Sequence, residues 1–417
     1  MGKEQKRTDL FDILTSELKQ NILPYWMERT PDHKSGGFVG ALDNEGRPVA
    51  SEKSAILNTR ILWTFSAAAR LLNDTACREM ADRARYYIES WFLDPDYGGA
   101  YWSVSDDGTI LDDRKHIYIQ AFAIYGLSEY YVTSGEGWAL DQAVNLFRQI
   151  DDHARQSDGT GYHEAFARDW SPLADARLGE NDIEADRTFN THLHLLEAYT
   201  NLYRIWPDEH LAGRLRELLL IHIDRMYDPN VRHILAYFDR NLKPVSPIYS
   251  YGHDIEAAWL LYDAVAELED PELMERIQKL VIVIADQTII EGVDPKHGGV
   301  PGTGQNNRTV DYSKQWWAQA EALSGFLYAW LLTNDDKYLK VSEKIWEFTD
   351  RYVIDHKHGE WFFQVDRAGK PLMGEKVGPW KCPYHTSRTA LLYTAAAMDD
   401  APVTPFSILN RRHIKMK

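Results

Sequence analysis

A short phrase is written twice near opposite ends of this chain. Residues 35–49 read SGGFVGALDNEGRPV and residues 358–372 read HGEWFFQVDRAGKPL. With Gly36 laid on Gly359, Phe38 falls on Trp361, Asp43 on Asp366, Gly46 on Gly369 and Pro48 on Pro371. The pair belongs to a series. An Asp-x-x-x-Gly signal recurs at Asp32/Gly36, Asp94/Gly98, Asp294/Gly298 and Asp355/Gly359, with variants at Asp228/Arg232 and in the stretch from Asp158. The Gly36-equivalent positions, at about 36, 98, 160, 232, 298 and 359, define six units of 61 to 72 residues. A unit of that size is one supersecondary element that buries its apolar face only against its neighbours.

Each unit has the same grammar. First comes an amphipathic helical pattern, over 8–28, 78–93, 141–154, 210–227, 271–290 and 337–354. RLRELLLIHIDRMY is typical, with an apolar stripe opposite charge. The Gly/aromatic/Asp-Gly connector follows and reads as a short hairpin or long loop. A second helix comes next, richer in Ala, Leu and aromatics, as in ILNTRILWTFSAAARL and QWWAQAEALSGFLYAWLL. These second helices carry little charge beyond their first turns and should be buried. Six such pairs predict two concentric helical rings, the apolar helices inside, in one domain spanning residues 1–417 with a C-terminal tail from about 399. The alternative is an open superhelix, whose exposed ends would need polar caps.

Net charge of −17 argues against nucleic acid, which would demand a basic face. The longest apolar runs, LLLIHI and LVIVIA, fall far short of a bilayer span. No signal-peptide core is evident, and two cysteines, Cys77 and Cys382, cannot form a disulfide framework. These features predict a cytoplasmic protein without membrane or nucleic-acid partners. A closed ring leaves no edge to cover, so a monomer is expected.

If the inner helices run parallel, their first turns meet at one rim. Those turns hold Asn58 and Arg60; His116, Tyr118 and Gln120; Asn190, His192 and His194; His253, Asp254 and Glu256; Trp316, Trp317, Gln319 and Glu321; Tyr384, His385 and Arg388. Capping explains one polar residue per helix, not several that include histidine and arginine. Polar and aromatic groups at one end of six segments predict a lined cavity. Glu256, three after His253, is placed to orient it. His192 and His194, two apart, diverge and make a poor metal pair, and His192 suits the core. No metal motif, phosphate cradle or nucleophile elbow appears, so no metal or cofactor is expected. Trp380, in GPWKCPYH, stands where a flat face could stack on a sugar ring.

The segments ILNTRILWTF, RKHIYIQAFAIYGLSE, NTHLHLLEAYTNLYR, YGHDIEAAWLL, WWAQAEAL and WKCPYHTSR resemble the N-acylglucosamine 2-epimerase family, and most closely its cellobiose 2-epimerase branch. The likeness runs from about residue 10 to 395. It implies an all-α (α/α)6 barrel that interconverts glucose and mannose at the reducing end of β-1,4-linked disaccharides such as cellobiose, mannobiose or lactose, without a cofactor. It implies that His253 and His385 are the acid/base pair. Arg60, Tyr118, Asn190, His194 and Glu256 are similar to residues that hold the reacting sugar, and Trp317 and Trp380 to the aromatic contacts of two sugar subsites. Asp182, in ENDIE, matches a loop residue near the ligand. Ala318 and the ending CPYHTSR depart from the family's pattern, which leaves the disaccharide preference open. His116, Glu321 and Arg388 join the expected sugar contacts from their place on the rim.

Inverting C2 of an aldose needs an opened ring, removal of the C2 proton to give an enediolate, and reprotonation from the opposite face. Two histidines facing each other suit this near neutral pH. Aldose–ketose isomerisation shares the enediolate. An inverting glycosidase would instead need two carboxylates about 6.5–9.5 Å apart. A non-catalytic sugar-binding protein would explain the tryptophans but not paired histidines.

Overall fold

The alternation of amphipathic and apolar segments becomes an alternation of outer and inner helices. The computed structural model describes residues 3–179 and 182–398; the expected tail from 399 lies outside them. An outer helix, α1 (Lys3–Glu17), runs through a π-helical turn, Leu18–Ile22, into α2 (Leu23–Arg29). Inner and outer helices then alternate: α3 (Ala55–Leu72), α4 (Thr75–Tyr87), α5 (Ile117–Ser134), α6 (Gly137–His153), α7 (Phe189–Ile205), α8 (Glu209–Ile221), α9 (Tyr251–Leu268), α10 (Pro271–Ile290), α11 (Trp316–Thr333), α12 (Asp336–Phe348) and the inner α13 (Tyr384–Ala397).

The inner helices close on themselves. α3 packs on α5, α5 on α7, α7 on α9, α9 on α11, α11 on α13, and α13 returns to α3. α4, α6, α8, α10 and α12 each lie against the inner helix before them, and α1 covers α13. The open superhelix is excluded, and the fold is the (α/α)6 barrel. Asp74, Asp208, Asp270 and Asp335 cap outer helices, while Ser54, Thr188 and Ser250 cap inner ones. Gly126 and Gly325 let α5 and α11 approach their neighbours, since a Cβ there would come within 2.7 Å of Thr59 O and 2.6 Å of Ile255 O.

The connectors are more than hairpins. The two or three residues before five of the inner helices pair, antiparallel, with the connector of the next unit. Lys53–Ser54 pairs with Ser103–Val104, Lys115–His116 with Ala165–Phe166, Arg187–Thr188 with Tyr237–Phe238, Ile248–Ser250 with Thr303–Gln305, and Lys314–Gln315 with Gln364–Val365. A bridge between Leu42 and Val377 joins the sixth unit to the first. The inner-helix N-termini therefore share one rim, stitched from unit to unit.

The Asp-x-x-x-Gly signal is a turn with a buried tie. In units one, two, five and six the aspartate's Oδ1 accepts from the backbone two and three residues on. Its Oδ2 meets a fully buried lysine: Lys53 with Asp32 at 2.7 Å, Lys115 with Asp94 at 2.8 Å, Lys314 with Asp294 at 3.5 Å and Lys376 with Asp355 at 2.7 Å. Burial opposes ionisation of Asp32, but Lys53 and the backbone donors outweigh it and hold its pKa at about 2. Among the described residues units three and four lack the tie, and Arg232 takes the glycine position with φ of 62°.

Candidate active site

At the rim, the first turns of α7, α9 and α11 and the connectors of units three to five enclose a cavity of about 300 Å³. Asp182, Asn190, Tyr237, Ser250, His253, Asp311 and Trp317 are among its lining residues. His253 projects from the first turn of α9, whose N-cap Ser250 accepts its backbone N–H at 3.4 Å. Its ring leans on Trp317, centroids 4.7 Å apart. His385, in the first turn of α13, approaches the same indole at 5.6 Å. One tryptophan thus touches both imidazoles, which arrive from units four and six.

The expected partnership of Glu256 with His253 is not what forms. Glu256 points beneath the site to Arg388, with Oε1 2.6 Å from Nη2, and lies 3.8 Å from His385 Nδ1. The orienting carboxylate of His385 is Glu321, at 2.7 Å from Nδ1. Glu321 also accepts from Arg388 Nη2 at 2.7 Å and Trp259 Nε1 at 3.0 Å. Glu321 thus accepts from Arg388 and Trp259, and a His385 that donates to it through Nδ1 turns its Nε2 lone pair outward. No carboxylate is hydrogen-bonded to the His253 ring among the described residues. Burial pushes its pKa down to about 3, so it rests as a neutral base.

Arg388 is the hub of this layer. Its guanidinium meets Glu197, Glu256 and Glu321, and all four side chains are buried. Sequence reasoning missed Glu197, which accepts from His194 Nδ1 at 2.9 Å and from the Tyr384 hydroxyl. Burial works against its charge, yet Arg388 and His194 hold its pKa at about 2. Burial drives Glu256 well up, opposed by Arg388 alone, and its Oε2 has no partner among the described residues. Glu256, Glu321 and His385 place ligand atoms within 4.8 Å of one another, but Arg388 already occupies the cation's place between the two carboxylates.

Arg60, near the start of α3, is buried beside Tyr118 and Cys382. It donates to the Tyr118 hydroxyl at 2.5 Å and to Cys382 Sγ at 3.7 Å, and lies 4.1 Å over the Phe122 ring. Its Nε has no partner among the described residues. Tyr118 touches His194 at 5.0 Å and Trp380 at 6.0 Å, ring to ring. Rings and ion pairs therefore link Arg60, Tyr118, His194, Trp380, His385, Trp317 and His253 into one patch. Asp182 is bridged to the Tyr237 hydroxyl at 3.3 Å, and Asn190 Oδ1 has no partner among the described residues.

Four residues expected to touch sugar have no surface to offer. His116 is fully buried, caps α5 by accepting Tyr118 N–H at 3.2 Å and packs on Trp102. Glu321 and Arg388 lie under the floor, as does Glu256. His192 is a satisfied core histidine, bonded to Thr188 O at 2.7 Å and Tyr162 N at 3.1 Å.

The sequence model of N-acylglucosamine 2-epimerase (GlcNAc 2-epimerase) matches residues 36–389. The cellobiose 2-epimerase of Bacteroides fragilis is 41% identical over 380 residues, covering 91% of this chain and 97% of that one. Human N-acylglucosamine 2-epimerase is 23% identical, with 93% and 90% covered. The solved structure of cellobiose 2-epimerase from Bacillus thermoamylovorans B4167 superposes with a TM-score of 0.87 at 37% identity, over 92% of this chain and 98% of that one. With its two rings of helices and its histidine-lined rim, the chain belongs to the N-acylglucosamine 2-epimerase family.

Proposed function

We propose that this protein is an isomerase, a 2-epimerase that interconverts glucose and mannose units at the reducing end of β-1,4-linked disaccharides by moving the C2 proton. One observation carries the reading: His253 and His385, from different units, lean on one indole at the cavity. Its relatives named cellobiose 2-epimerase support the substrate class, at 33–41% identity.

In the opened sugar the C1 carbonyl acidifies C2–H. One imidazole takes that proton, leaving an enediolate, and the other returns a proton to the opposite face of C2. No atoms are gained or lost and no redox partner is needed. His253, unpaired and neutral, is the base for one epimer; His385, its Nδ1–H held by Glu321, must take a second proton on Nε2 to serve as the acid, against burial that pushes its pKa down, and the reverse reaction exchanges the roles. Arg60 and the Tyr118 hydroxyl stabilise the enediolate oxygens, a contribution commonly worth about 10²–10³ in kcat per donor. His194, its Nδ1 held by Glu197, presents Nε2 to a sugar hydroxyl and assists ring opening. Trp317 and Trp380 stack on sugar rings, while Asn190 and Asp182 hold hydroxyls. Hydrolysis is disfavoured because Glu256 and Glu321 are tied to Arg388, and Asp254 to His233 at 2.6 Å. The closed ring supports a monomer, and two buried unpaired cysteines support work in the cytoplasm.

Turnover of cellobiose in deuterated water tests the chemistry. Glucosyl-mannose carrying deuterium at C2 is expected; epimerised product without it would refute proton transfer. His253→Ala and His385→Ala should each lower kcat by at least about 10²–10⁴-fold with the fold intact by circular dichroism. Wild-type rates in either variant would end the two-base assignment.

A further inference from the structure

Behind the catalytic corner lies a second histidine network that the chemistry above does not use. His233, 1% exposed, stacks flat against Tyr249, centroids 3.7 Å apart and planes 3° apart. Its Nδ1 donates to Asp254 Oδ2 at 2.6 Å, and its Nε2 faces Glu291 Oε2 at 3.4 Å. Asp254 is the residue after His253, and its Oδ1 accepts the backbone N–H of Ile234 at 2.8 Å. Glu291 in turn accepts from the hydroxyls of Tyr249 at 2.5 Å and Tyr251 at 2.7 Å. A Cβ at Gly304 would come within 2.3 Å of the Tyr249 ring, so the cluster is closely packed. Tyr249, Ser250 and His253 form one wall of the cavity.

Resting on the proposed epimerase reading, we infer that His233, as an imidazolium clamped between Asp254 and Glu291, is a positioning residue for His253. It fixes the segment Tyr249–Asp254 by a cation shared between two elements: Asp254 at the start of α9 and Glu291 just past the end of α10. The titratable groups facing it are Asp254, Glu291, Tyr249 and Tyr251. Burial disfavours its charge, but the two carboxylates prevail and raise its pKa. The sign follows. The stability His233 supplies is complete below its unfolded value of about 6.5 and is lost as pH rises through the raised folded value. Above that, two carboxylates face each other without a cation, and the wall that carries His253 loosens.

The test is a pH titration of the full chain labelled with 15N-histidine, beside His233→Gln and Asp254→Asn. Expected are His233 ring shifts of an imidazolium at pH 7, and an alkaline limb of kcat that follows their titration. His233→Gln should lower kcat about tenfold or more at pH 6.5, change KM for cellobiose less than about twofold, and abolish that limb. Asp254→Asn should shift the limb to lower pH. A neutral His233 at pH 7, or a His233→Gln enzyme with wild-type kcat and an unchanged limb, would overturn the inference. Should His233→Gln not fold, the wild-type titration still decides it. C2 deuterium exchange absent from the wild type would refute the epimerase reading instead.

Discussion

Glu197 holds one oxygen to His194 and the other to Tyr384 and Arg388, so a single side chain sets a tautomer and neutralises a buried guanidinium. Glu197→Gln should lower kcat on the order of 10²-fold, as expected when a proton-transfer group loses its orientation. It should also reduce stability by about 3–5 kcal/mol by weakening a buried charge pair. Steady-state kinetics and denaturant melts measure both; an unchanged kcat would return Glu197 to a structural role. Arg60→Lys keeps the charge but loses the planar fork, and kcat should fall by about 10²-fold or more with KM little changed. That His253, His385 and Arg60 stand near the starts of inner helices was legible in the sequence. Glu197 obeys the same spacing rule, three residues after His194, but lies past the first turn in a stretch that reads as apolar core. The Glu256–Arg388 pair could not be read at all, because its partners sit 132 residues apart and only ring closure brings them together.

At the scale of the element, the connectors split into two kinds. Four are tied by a buried lysine 20 or 21 residues after the turn aspartate, a spacing present in the sequence but not implied by the glycine repeat. Lys115→Met leaves Asp94 with Arg168, at 2.9 and 3.0 Å, and its backbone donors, and should cost about 1–3 kcal/mol in unfolding free energy. At Arg232 the opposite change should help. It is exposed and left-handed, so Arg232→Gly should stabilise by about 1 kcal/mol, a rise in Tm visible by calorimetry. Helix positions were legible because apolar periodicity is written over ten or more residues. Strands of two or three residues carry no period, so the pairing between neighbouring units was not. Units two and five are near copies. Both carry Lys-x-x-x-x-Gln-Ala-x-Ala-x-x-Gly, at 115–126 and 314–325, in which Gln120 clasps Ala100 and Gln319 clasps Val300 through both backbone groups.

For the molecule as a whole, burial of neutral histidines fixes the response to acid. His116, His192 and His253 are held at about 3 and His222 at about 4, chiefly by desolvation. Unfolded, each would titrate near 6.5, so below that pH the unfolded chain binds more protons. Stability should fall from about pH 6.5 towards 4, by up to about 1.4 kcal/mol per pH unit for each histidine; a flat Tm over that range would contradict the burial. The two untied connectors bear on a different property. Among the described residues, 158–188 and 228–250 carry no lysine tie, yet they supply Asp182, Tyr237 and Tyr249 to the cavity wall. Selection can therefore edit taste for one sugar over another in those two stretches, while the four fastened joints keep the cylinder shut.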